Sequence, residues 1–301
     1  MAHRLLLDVS SLMYRAFFAM GDTVRTPAGR PSGALHGYLD MVVRLIVSRR
    51  PDEVVHAYDH EWRPVARTDL YAGYKSNRPP DPEGLPEQFT MLRQVLDLTG
   101  MAQAQTRGWE AEDAIAGLCL ESGDDDRVEI VSGDRDLIQL VRDPVVRLLF
   151  TVRGVTELLE LDEAAVLERY GVPAGRYADF AILRGDPSDD LPGVRGVGEK
   201  TARALVLTYG SLDDLLADAA SETPRAGPLS GKPALRSRVR DSAEYLAAMQ
   251  RLVPVNTTAP LDRWRGERDD AGLEELGEEL AVRGPLKRLR AALDLAPGAP
   301  G

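Results

Sequence analysis

Short apolar runs alternate with stretches of helical spacing along roughly the first half of the chain. Runs of this length are typical of strands that are buried on both faces of a parallel sheet, and an aspartate closely follows each of them. The runs cover residues 5–7, 54–58 and 128–132. Apolar residues recur with the period of an amphipathic helix over residues 35–48, 89–99 and 111–121. The alternation predicts an α/β domain, in which sites form at the carboxyl ends of the strands.

Two later regions depart from this alternation. Residues 67–86 contain several glycines and prolines around polar, aromatic and basic residues, and they lack an apolar stripe, so we expect them to project from the sheet. After about residue 180 the pattern becomes all-helical, with glycine-rich turns at residues 193–198 and at Gly210. We expect a small helical module there, with helices over residues 201–208, 212–219 and 234–252. Residues 296–301 have the composition of a frayed tail.

Composition places the chain among globular enzymes. Its 301 residues, of which 44% are apolar, suffice for one large domain or two smaller ones. One cysteine, Cys119, excludes an internal disulfide, and we expect it in the core. No apolar run approaches the ~18 residues of a membrane span, and the N-terminus lacks the features of a secretion signal. We therefore expect a cytoplasmic protein without membrane contact.

The net charge of −11 argues at first against a nucleic-acid partner, whose phosphates repel an acidic surface. The distribution of charge weakens that argument. From Arg63 to Arg78 there are four cations and one anion, Asp69, and residues 225–240 form a second basic stretch without an acid. Either stretch is equally compatible with a solvated loop or helix face. If cations also neutralise the carboxylates described next, the binding face is positive on an acidic protein.

Carboxylates recur where a predicted strand or helix meets a loop. Asp8 and Asp59 each follow a predicted strand, although an aspartate in that place is often only a turn former or a helix N-cap. Glu110 and Asp113 lie three residues apart and share one helix face, with Glu112 about 100° around the helix from Asp113. Acids in a first turn also suit the helix dipole, which is the simpler explanation. Three acids within four residues exceed what the dipole needs.

Two further acidic segments follow. Asp134 and Asp136 point the same way if the backbone is extended, and an Asx turn is the alternative. The segment GDPSDD adds Asp186 and Asp189. Carboxylates a few Å apart raise each other's pKa, so they share one pocket only if cations neutralise them. Because neither a cysteine nor a second histidine accompanies them, the oxygen ligands favour Mg²⁺ or Mn²⁺, and two such ions are a recurring device of phosphodiester cleavage.

The glycine-rich string GVRGVGEKTA begins at Gly193. It is not a P-loop, because Glu199 separates the last glycine from the lysine. The string suits a hairpin between helices in which Gly196 and Gly198 expose backbone N–H groups to a phosphate ahead of the next helix. A plain turn between helices is the alternative, although a simple turn needs only one glycine.

The ordered motifs together resemble the 5′ nuclease family, which comprises the flap endonucleases and the N-terminal nuclease of bacterial DNA polymerase I. The resemblance extends over roughly residues 5–260. No polymerase segment follows, so the chain is similar to a free-standing bacterial flap endonuclease. The motifs that carry it are LLLDVSS, AYDHEWRPVARTDLYAGYKSNRPP, WEAEDAIA, SGDRDLIQL and GDPSDDLPGVRGVGEKTA.

The resemblance implies an α/β fold with three parts. They are a PIN-like nuclease core with a central, mostly parallel sheet (1–178), a helical arch within it (about 67–88), and a helix-three-turn-helix module followed by C-terminal helices (179–295), ahead of a flexible tail (296–301). It implies two or more Mg²⁺ or Mn²⁺ ions, and K⁺ at the helical hairpin. The positions that match the family's metal ligands are Asp8, Asp59, Glu110, Glu112, Asp113, Asp134, Asp136, Asp186 and Asp189.

The resemblance also implies roles for basic and aromatic residues. In the arch, Tyr74 would stack on or steer the strand, Lys75 would contact the scissile phosphate, and Arg67 and Arg78 would clamp neighbouring phosphates. The remaining DNA contacts would come from Tyr14, Arg15, Gly196, Gly198, Lys200 and Thr201, with Phe17 also in a matching segment. For Tyr14 and Phe17, packing behind the first strand is an equal alternative.

Three positions depart from the family pattern. Glu112 stands where an aspartate is usual, Asp190 where an asparagine is usual, and Ala66 where an aromatic residue often precedes the arginine. The longer side chain of Glu112 would reach its ion through a different carboxylate mode, and Asp190 would either add a ligand or cap a turn. These departures concern the number of bound ions and the choice of metal.

The predicted function is a structure-selective, metal-dependent 5′-3′ exonuclease and flap endonuclease of replication and repair, which acts in primer removal and gap processing. Its partners would be DNA with 5′ flaps, nicks, gaps or free 5′ ends, including RNA-primed ends, and it would be a monomer. Two rivals remain. One is a DNA-junction binder that has lost the chemistry, and the other is a PIN-domain ribonuclease, which carries about four acids and no duplex-binding module.

Overall fold

Seven strands form one twisted sheet within the residues that the computed structural model describes, 2–21, 23–223 and 225–295. The strand order across the sheet is β6-β5-β4-β1-β2-β3-β7. The five central strands are parallel, and the edge strands β6 and β7 are antiparallel to their neighbours. The strands are β1 (His3–Asp8), β2 (Glu53–Tyr58), β3 (Ala102–Thr106), β4 (Arg127–Ser132), β5 (Val146–Arg153), β6 (Glu157–Leu161) and β7 (Leu261–Arg265).

Helices cover both faces of this sheet, as the buried apolar runs require. They are α1 (Val9–Met20), α2 (Gly33–Arg49), α3 (Val65–Leu70), α4 (Leu85–Asp97), α5 (Ala111–Leu120), α6 (Glu163–Tyr170), α7 (Tyr177–Arg184), α8 (Glu199–Thr208), α9 (Leu212–Ala220), α10 (Pro233–Asp241), α11 (Ala243–Leu252), α12 (Asp270–Glu279) and α13 (Arg283–Asp294). Short 3₁₀ helices lie at Asp136–Leu140, Ala174–Arg176 and Pro187–Asp189.

The side chains of β1 alternate between two separate cores. Leu5 and Leu7 pack with α1, α2, α4, α12 and α13 on one face of the sheet. Leu6 packs on the other face with α5 and the helices that follow β6. All three leucines are fully buried, which is why a continuous apolar run precedes Asp8.

The register of the parallel strands brings their carboxyl ends to one edge of the sheet. Leu7 lies beside His56 of β2 and Val131 of β4, so the residues after all three strands emerge together. The helices α7 to α11 form a module beside this edge, where α7 packs on the 3₁₀ helix at Asp136–Leu140 and α11 packs on α3. None of the helices that the structure describes is both long enough and apolar enough to cross a membrane.

Most of the predicted elements are confirmed, and the differences have physical causes. The predicted α/β class, the three strands and the helices over residues 35–48, 89–99, 111–121, 201–208 and 212–219 are all present within one or a few residues. The predicted helix over 234–252 is two helices that meet at Ser242, whose hydroxyl and N–H both donate to the Arg238 carbonyl. A serine hydroxyl that donates to the carbonyl four residues earlier slightly destabilises a helix, which accounts for the interruption between α10 and α11.

Four strands were not predicted. β3 was not predicted because a polar residue, Gln103, is buried in it and interrupts the apolar pattern. Gln103 accepts from the Tyr58 hydroxyl at 2.9 Å and donates to Asp97 at 2.8 Å. β7 is a half-exposed edge strand, and it brings the chain back from the helical module to the nuclease sheet. Accordingly α13 packs on α2 rather than on the module with which it was grouped. The division at residue 178 stays a prediction, and the predicted tail, 296–301, lies outside the described residues.

Candidate metal centre

Predicted carboxylates from five separate segments of the chain line one cavity of about 1010 Å³ at the carboxyl edge of the sheet. Of the nine predicted positions, seven line this cavity: Asp8, Asp59, Glu110, Glu112, Asp134, Asp186 and Asp189. Lys75, Arg78, Arg93 and Arg135 are the cations in its wall among the described residues. The long-range convergence predicted from the sequence is therefore present in the fold.

Two serines and two backbone N–H groups orient the first pair of carboxylates. Asp8 is the N-cap of α1, accepting from the Ser11 N–H at 3.0 Å, and it also accepts from the Ser132 hydroxyl at 2.6 Å. Asp59 accepts from the Ser10 hydroxyl at 2.5 Å and from the N–H of residue 111 at 2.6 Å. The N-cap explanation of Asp8 is thus confirmed, and its role as a metal ligand stays a prediction that its place in the cavity wall allows. Burial, with the Asp59 carboxylate second, raises the pKa of Asp8 to about 7.

A tighter group of three carboxylates has the chemistry of a cation site. Glu112, Asp134 and Asp136 each offer an oxygen, and these oxygens lie within 4.8 Å of one another. The N–H of Asp136 donates to the Asp134 carboxylate at 2.9 Å, so the predicted Asx turn exists and itself brings the two acids together. Burial raises the pKa of Glu112 and of Asp136 well above the ordinary range. Hard oxygen donors gathered against this repulsion fit Mg²⁺ or Mn²⁺.

Arg67 does not have the exposed position that a phosphate clamp requires. Its side chain is 1% exposed, and its guanidinium pairs with Glu110, with Glu112 at 2.7 Å and with Asp113 at 2.9 Å. It also donates to the Leu252 carbonyl at 3.3 Å. The assignment of Arg67 to DNA binding is therefore corrected, because the guanidinium is used internally as a counter-ion below the site.

Asp113 likewise faces away from the cavity. It accepts from Arg67, from the N–H of Glu110 at 3.1 Å and from the N–H of Asn256 at 2.7 Å. Glu110 and Asp113 form a capping box at the start of α5, so Asp113 stabilises the helix N-terminus through a hydrogen bond. Asp113 therefore has a structural role in the described chain and does not line the cavity, while its predicted role as a metal ligand stays untested. The missed residue here is Asn256, which no motif in the sequence marked.

Tyr74 and Lys75 reach into the site from the predicted arch. The ring of Tyr74 is 2% exposed and its hydroxyl donates to Glu110 at 2.6 Å, so the predicted stacking on a DNA strand is corrected to an internal contact. The Lys75 ammonium pairs with Glu110 and lies 3.9 Å from Asp189. Burial alone would raise the pKa of Glu110, but Lys75 and Arg67 lower it below its ordinary value.

The arch segment lines the cavity without being a continuous helix. After α3, Lys75 takes a left-handed conformation with φ of 50°, and its N–H donates to the Asp189 carbonyl at 3.0 Å. Arg63 holds this turn by donating to the carbonyls of Ala72 and Tyr74, both at 2.8 Å. Prolines at 79, 80 and 82 keep the chain irregular up to α4. The predicted arch over residues 67–88 therefore contains one short helix and the first residues of α4.

Asp186 and Asp189 come from the helical module, across the cavity from the sheet. Asp186 accepts from the Ser188 N–H at 2.9 Å, while Arg184 and Arg135 lie 3.6 and 3.9 Å from its carboxylate. Burial raises the pKa of Asp189 to about 6. Because both acids belong to the module, its docking completes the site.

Asp190 and Arg78 join the arch segment to the helical module. Asp190 directly follows Asp189 in the module, and Arg78 belongs to the arch segment. Asp190 accepts from the N–H and from the side-chain amide of Asn77, both at 2.8 Å. It therefore fastens the arch segment to the module instead of adding a ligand. Arg78 is the exposed cation of this group, 3.4 Å from Asp189.

Of the predicted DNA contacts on α1, Tyr14 lines the acidic cavity and Arg15 lines a smaller one. The Tyr14 hydroxyl donates to Asp81 of the arch segment. The guanidinium of Arg15 packs directly over Gly133, which leaves no room for a side chain at that position. Arg15 and Tyr14 also line a smaller cavity of about 470 Å³ beside the first. The structure therefore places both residues near the acidic cavity, and their contact with a DNA strand stays a prediction.

The glycine-rich string forms the turn between α7 and α8. Gly196 has φ of +77°, a conformation that favours glycine, and a Cβ there would strike the side chain of Arg238 from α10. Gly198 is the N-cap of α8 and offers no side chain to its N-terminus. No acceptor in the described part of the chain takes the N–H of Gly196 or of Gly198. Lys200 and Thr201 lie in the first turn of α8, with Lys200 exposed.

The sequence did not predict the roles of Ser10 and Ser132. Ser10 orients Asp59, and Ser132 orients Asp8. Ser10 had a signal, because it stands two residues after Asp8 in the motif LLLDVSS. Ser132 is the last residue of the third apolar run, and nothing in the sequence distinguished it from the polar residue with which a strand often ends. Arg93 was also missed, because it reads as an ordinary solvent-side residue of an amphipathic helix.

Comparison with known proteins agrees with this geometry. The family model of the 5′-3′ exonuclease N-terminal resolvase-like domain matches residues 3–171, and that of the 5′-3′ exonuclease C-terminal SAM fold matches residues 172–269. A 5′-3′ exonuclease of Streptomyces coelicolor is 40% identical over 306 residues, covering 96% of this chain and 99% of its own. One from Mycobacterium tuberculosis is 38% identical over 318 residues, covering 97% and 98%.

A solved structure is similar in fold. The flap endonuclease of bacteriophage T5, in a pseudo-enzyme-product complex with DNA and metal ions, aligns with a TM-score of 0.64 and 19% identity over 97% of this chain and 98% of its own. At that identity the likeness concerns the fold alone. The two family models, which run in series over nearly the whole chain, and the two full-length relatives show that the chain belongs to the 5′-3′ exonuclease family.

Proposed function

We propose that this protein is a metal-dependent, structure-specific 5′ nuclease that hydrolyses phosphodiesters in DNA as a 5′-3′ exonuclease and flap endonuclease. The observation that carries the proposal is the convergence of seven predicted carboxylates in one cavity, together with the buried cation Lys75 and the exposed cation Arg78. Two relatives that align over almost their full length are named 5′-3′ exonucleases. The T5 flap endonuclease, which has a similar fold, is described in a complex with DNA and metal ions. We propose that it acts in the cytoplasm, in primer removal and gap processing.

Two or more Mg²⁺ or Mn²⁺ ions would be held by the acids that line the cavity. Glu112, Asp134 and Asp136 would hold one, because their oxygens are already gathered within 4.8 Å. Asp8, Asp59, Asp186 and Asp189 supply the remaining oxygens, and Glu110 shares its charge with Lys75 and Arg67. Bound divalent ions of this kind lower the pKa of a coordinated water and offset charge on the phosphate.

The protein's own residues would position the phosphate and stabilise its charge. Lys75 stays charged, because Glu110 and Asp189 outweigh the burial that would lower its pKa. Its ammonium would donate to a non-bridging oxygen of the scissile phosphate, where negative charge increases in the transition state. Arg78, which lines the cavity, and Arg15, which lines the smaller cavity, would hold neighbouring phosphates, and Tyr14 would border the strand.

The helical module would hold the duplex. Gly196 and Gly198 present free N–H groups ahead of Lys200 and Thr201, an arrangement that suits a backbone phosphate and carries no base specificity. K⁺ at this hairpin belongs to the same proposal and rests on the family resemblance alone. Substrates would be DNA with 5′ flaps, nicks, gaps or free 5′ ends, including RNA-primed ends, and a monomer would suffice because the cavity is complete within one chain.

The direct experiment compares the protein with its Asp134→Asn variant on a 5′-labelled flap substrate. With Mg²⁺ or Mn²⁺ the protein should release a short product that ends in a 3′-hydroxyl, and chelation should stop the reaction. D134N should lower kcat by a factor of at least about 100 while the Kd for the same DNA, measured in Ca²⁺, changes little. DNA binding without cleavage by the unaltered protein would favour the junction-binder rival, and near-normal turnover by D134N would remove Asp134 from the metal site.

A further inference from the structure

The segment that leads from α11 back toward β7 is bound by side chains that stand close to the carboxylates. We call residues 252–256 of this segment the strap. At its start the guanidinium of Arg67 donates to the Leu252 carbonyl at 3.3 Å, and at its end the Asn256 N–H donates to Asp113 at 2.7 Å. A single glutamine holds the middle of the strap. The connection from the helical module to the sheet is therefore fastened along its whole length.

That glutamine, Gln139, joins the strap to the turn that carries Asp136. Its side-chain carbonyl accepts from the Val255 N–H at 3.1 Å. Its NH₂ group donates to the Asp136 carbonyl at 2.8 Å and to the Val253 carbonyl at 3.4 Å. Both ends of one amide are thus used to link backbone groups that are far apart in the sequence, so the fold alone creates the link.

The side chains that bond the strap also hold the acids of the candidate metal centre. Arg67 pairs with Glu112 at 2.7 Å, and Gln139 fixes the backbone of Asp136. Glu112 and Asp136 are two of the three acids whose oxygens lie within 4.8 Å of one another. A displacement of the strap would therefore reach two of these three acids, each through one intervening side chain.

Gln139 is not what anchors its own helix in the protein. Within the 3₁₀ helix Asp136–Leu140, Leu137 and Ile138 are fully buried in the core that also contains α5 and α7. Gln139 is half-buried, so water can replace its hydrogen bonds when the side chain is changed. Its loss should therefore leave the helix in place and free the Asp136 end of the turn to move.

We propose that Gln139 is a positioning residue for the metal centre, which acts by fixing the Asp136 turn to the strap. With the turn fixed, the oxygens of Glu112, Asp134 and Asp136 stay gathered although the carboxylates repel one another. An ion that meets ligands already in place binds more tightly, because it does not have to order them. This inference rests on the proposed nuclease function and concerns how tightly that site holds its ions.

The test titrates Mn²⁺ into the protein without DNA and follows the free ion by electron paramagnetic resonance. Gln139→Met keeps the length of the side chain and removes its hydrogen bonds. It should raise the Kd of the tightest Mn²⁺ about tenfold, since losing a group that orients a metal ligand has an effect of this order. Gln250→Met is the matched control, because the Gln250 amide donates to Asp213 within the helical module at 3.3 Å, and it should leave this Kd unchanged.

The dependence of turnover on Mn²⁺ distinguishes positioning from a loss of folded protein. At Mn²⁺ concentrations well below the Kd, Gln139→Met should cleave a 5′ flap about tenfold more slowly than the unaltered protein. At saturating Mn²⁺ most of this difference should disappear, and the KM for DNA should not change, since Gln139 contacts neither the substrate nor the duplex-binding hairpin. An equal loss of turnover at every Mn²⁺ concentration would overturn the positioning role.

A second variant loosens the strap at its other end. The Asn256 side chain accepts from the N–H of Thr258 at 3.0 Å, and Asn256→Ala removes this bond while leaving Gln139 and the acids unchanged. It should raise the Kd for Mn²⁺ about threefold, the order expected for the loss of one hydrogen bond.

An unchanged Kd for folded Gln139→Met would overturn the positioning role and leave the nuclease proposal intact. If that variant does not fold, an unchanged Kd for Asn256→Ala decides in the same way. Failure of the unaltered protein to bind Mn²⁺ would instead overturn the metal centre on which the nuclease proposal depends.

Discussion

Replacing Arg67 by methionine tests how the site tolerates its own negative charge. The guanidinium is buried and pairs with Glu110, Glu112 and Asp113. Methionine fills much of the same volume but leaves three carboxylates without their common counter-ion. Removing one partner of a buried charge cluster costs about 3–5 kcal/mol in the free energy of unfolding. We expect a loss at the upper end of this range, because three acids share one arginine.

The assay is urea unfolding in EDTA and again in 10 mM Mg²⁺. R67M should lower the unfolding midpoint strongly in EDTA, and added Mg²⁺ should recover more stability in the variant than in the unaltered protein. This follows because ions that bind the folded state stabilise it, and a more negative site binds them more tightly. Arg107→Met, at an exposed pair with Asp262, is the control and should leave the midpoint unchanged in both buffers.

A free energy of unfolding for R67M within about 1 kcal/mol of that of the unaltered protein in EDTA would refute the counter-ion role, because replacing even an exposed arginine changes stability by up to this amount. Equal recovery by Mg²⁺ in both proteins would refute the link between Arg67 and the metal site. Near-identical kcat values for R67M and the unaltered protein at saturating Mg²⁺ are compatible with the account, since Arg67 contacts the acids and not the substrate.

Three further predictions concern pH, the arch and the hairpin. In the folded protein the pKa of Asp8 is raised to about 7, so in EDTA the free energy of unfolding should fall as the pH rises from about 4 to 7. In Mg²⁺ this fall should disappear, because the bound ion favours the ionised carboxylate. Thermal unfolding at pH 5 and at pH 8 checks the sign. Asp190→Ala removes both hydrogen bonds to Asn77 and should raise KM roughly two- to fivefold with little change in kcat. Gly196→Ala places a side chain in a left-handed turn against Arg238, so it should lower the free energy of unfolding by about 1–2 kcal/mol and weaken duplex binding in a gel-shift titration. Gly198→Ala should lower the free energy of unfolding by less, because the φ of Gly198 is negative.

The sequence predicted best where residues are buried in regular elements. Asp8, Asp59 and Asp134 were identifiable because an apolar run precedes each of them, and such runs end at one edge of a parallel sheet. β3 was not predictable in the same way, since its Gln103 is buried through hydrogen bonds to side chains that only the fold brings near. A polar strand of this kind has no period-two apolar signal.

The direction of a charged side chain was the least predictable feature. Arg67 and Arg78 stand in the same basic segment and read alike, yet Arg67 is buried below the acids and Arg78 is exposed at the cavity. The difference arises because α3 packs on α11, which turns Arg67 inward toward Glu110. Local sequence carries no information about that contact, since α11 lies almost 180 residues further along the chain.

The most direct test of the central claim is an anomalous-scattering map from a crystal soaked in millimolar Mn²⁺. The account predicts at least one peak among the carboxylates of Glu112, Asp134 and Asp136, and a second toward Asp8 or toward Asp189. A map without a peak in this cavity, or with manganese bound only elsewhere on the molecule, would contradict the claim that these acids converge in order to hold divalent ions.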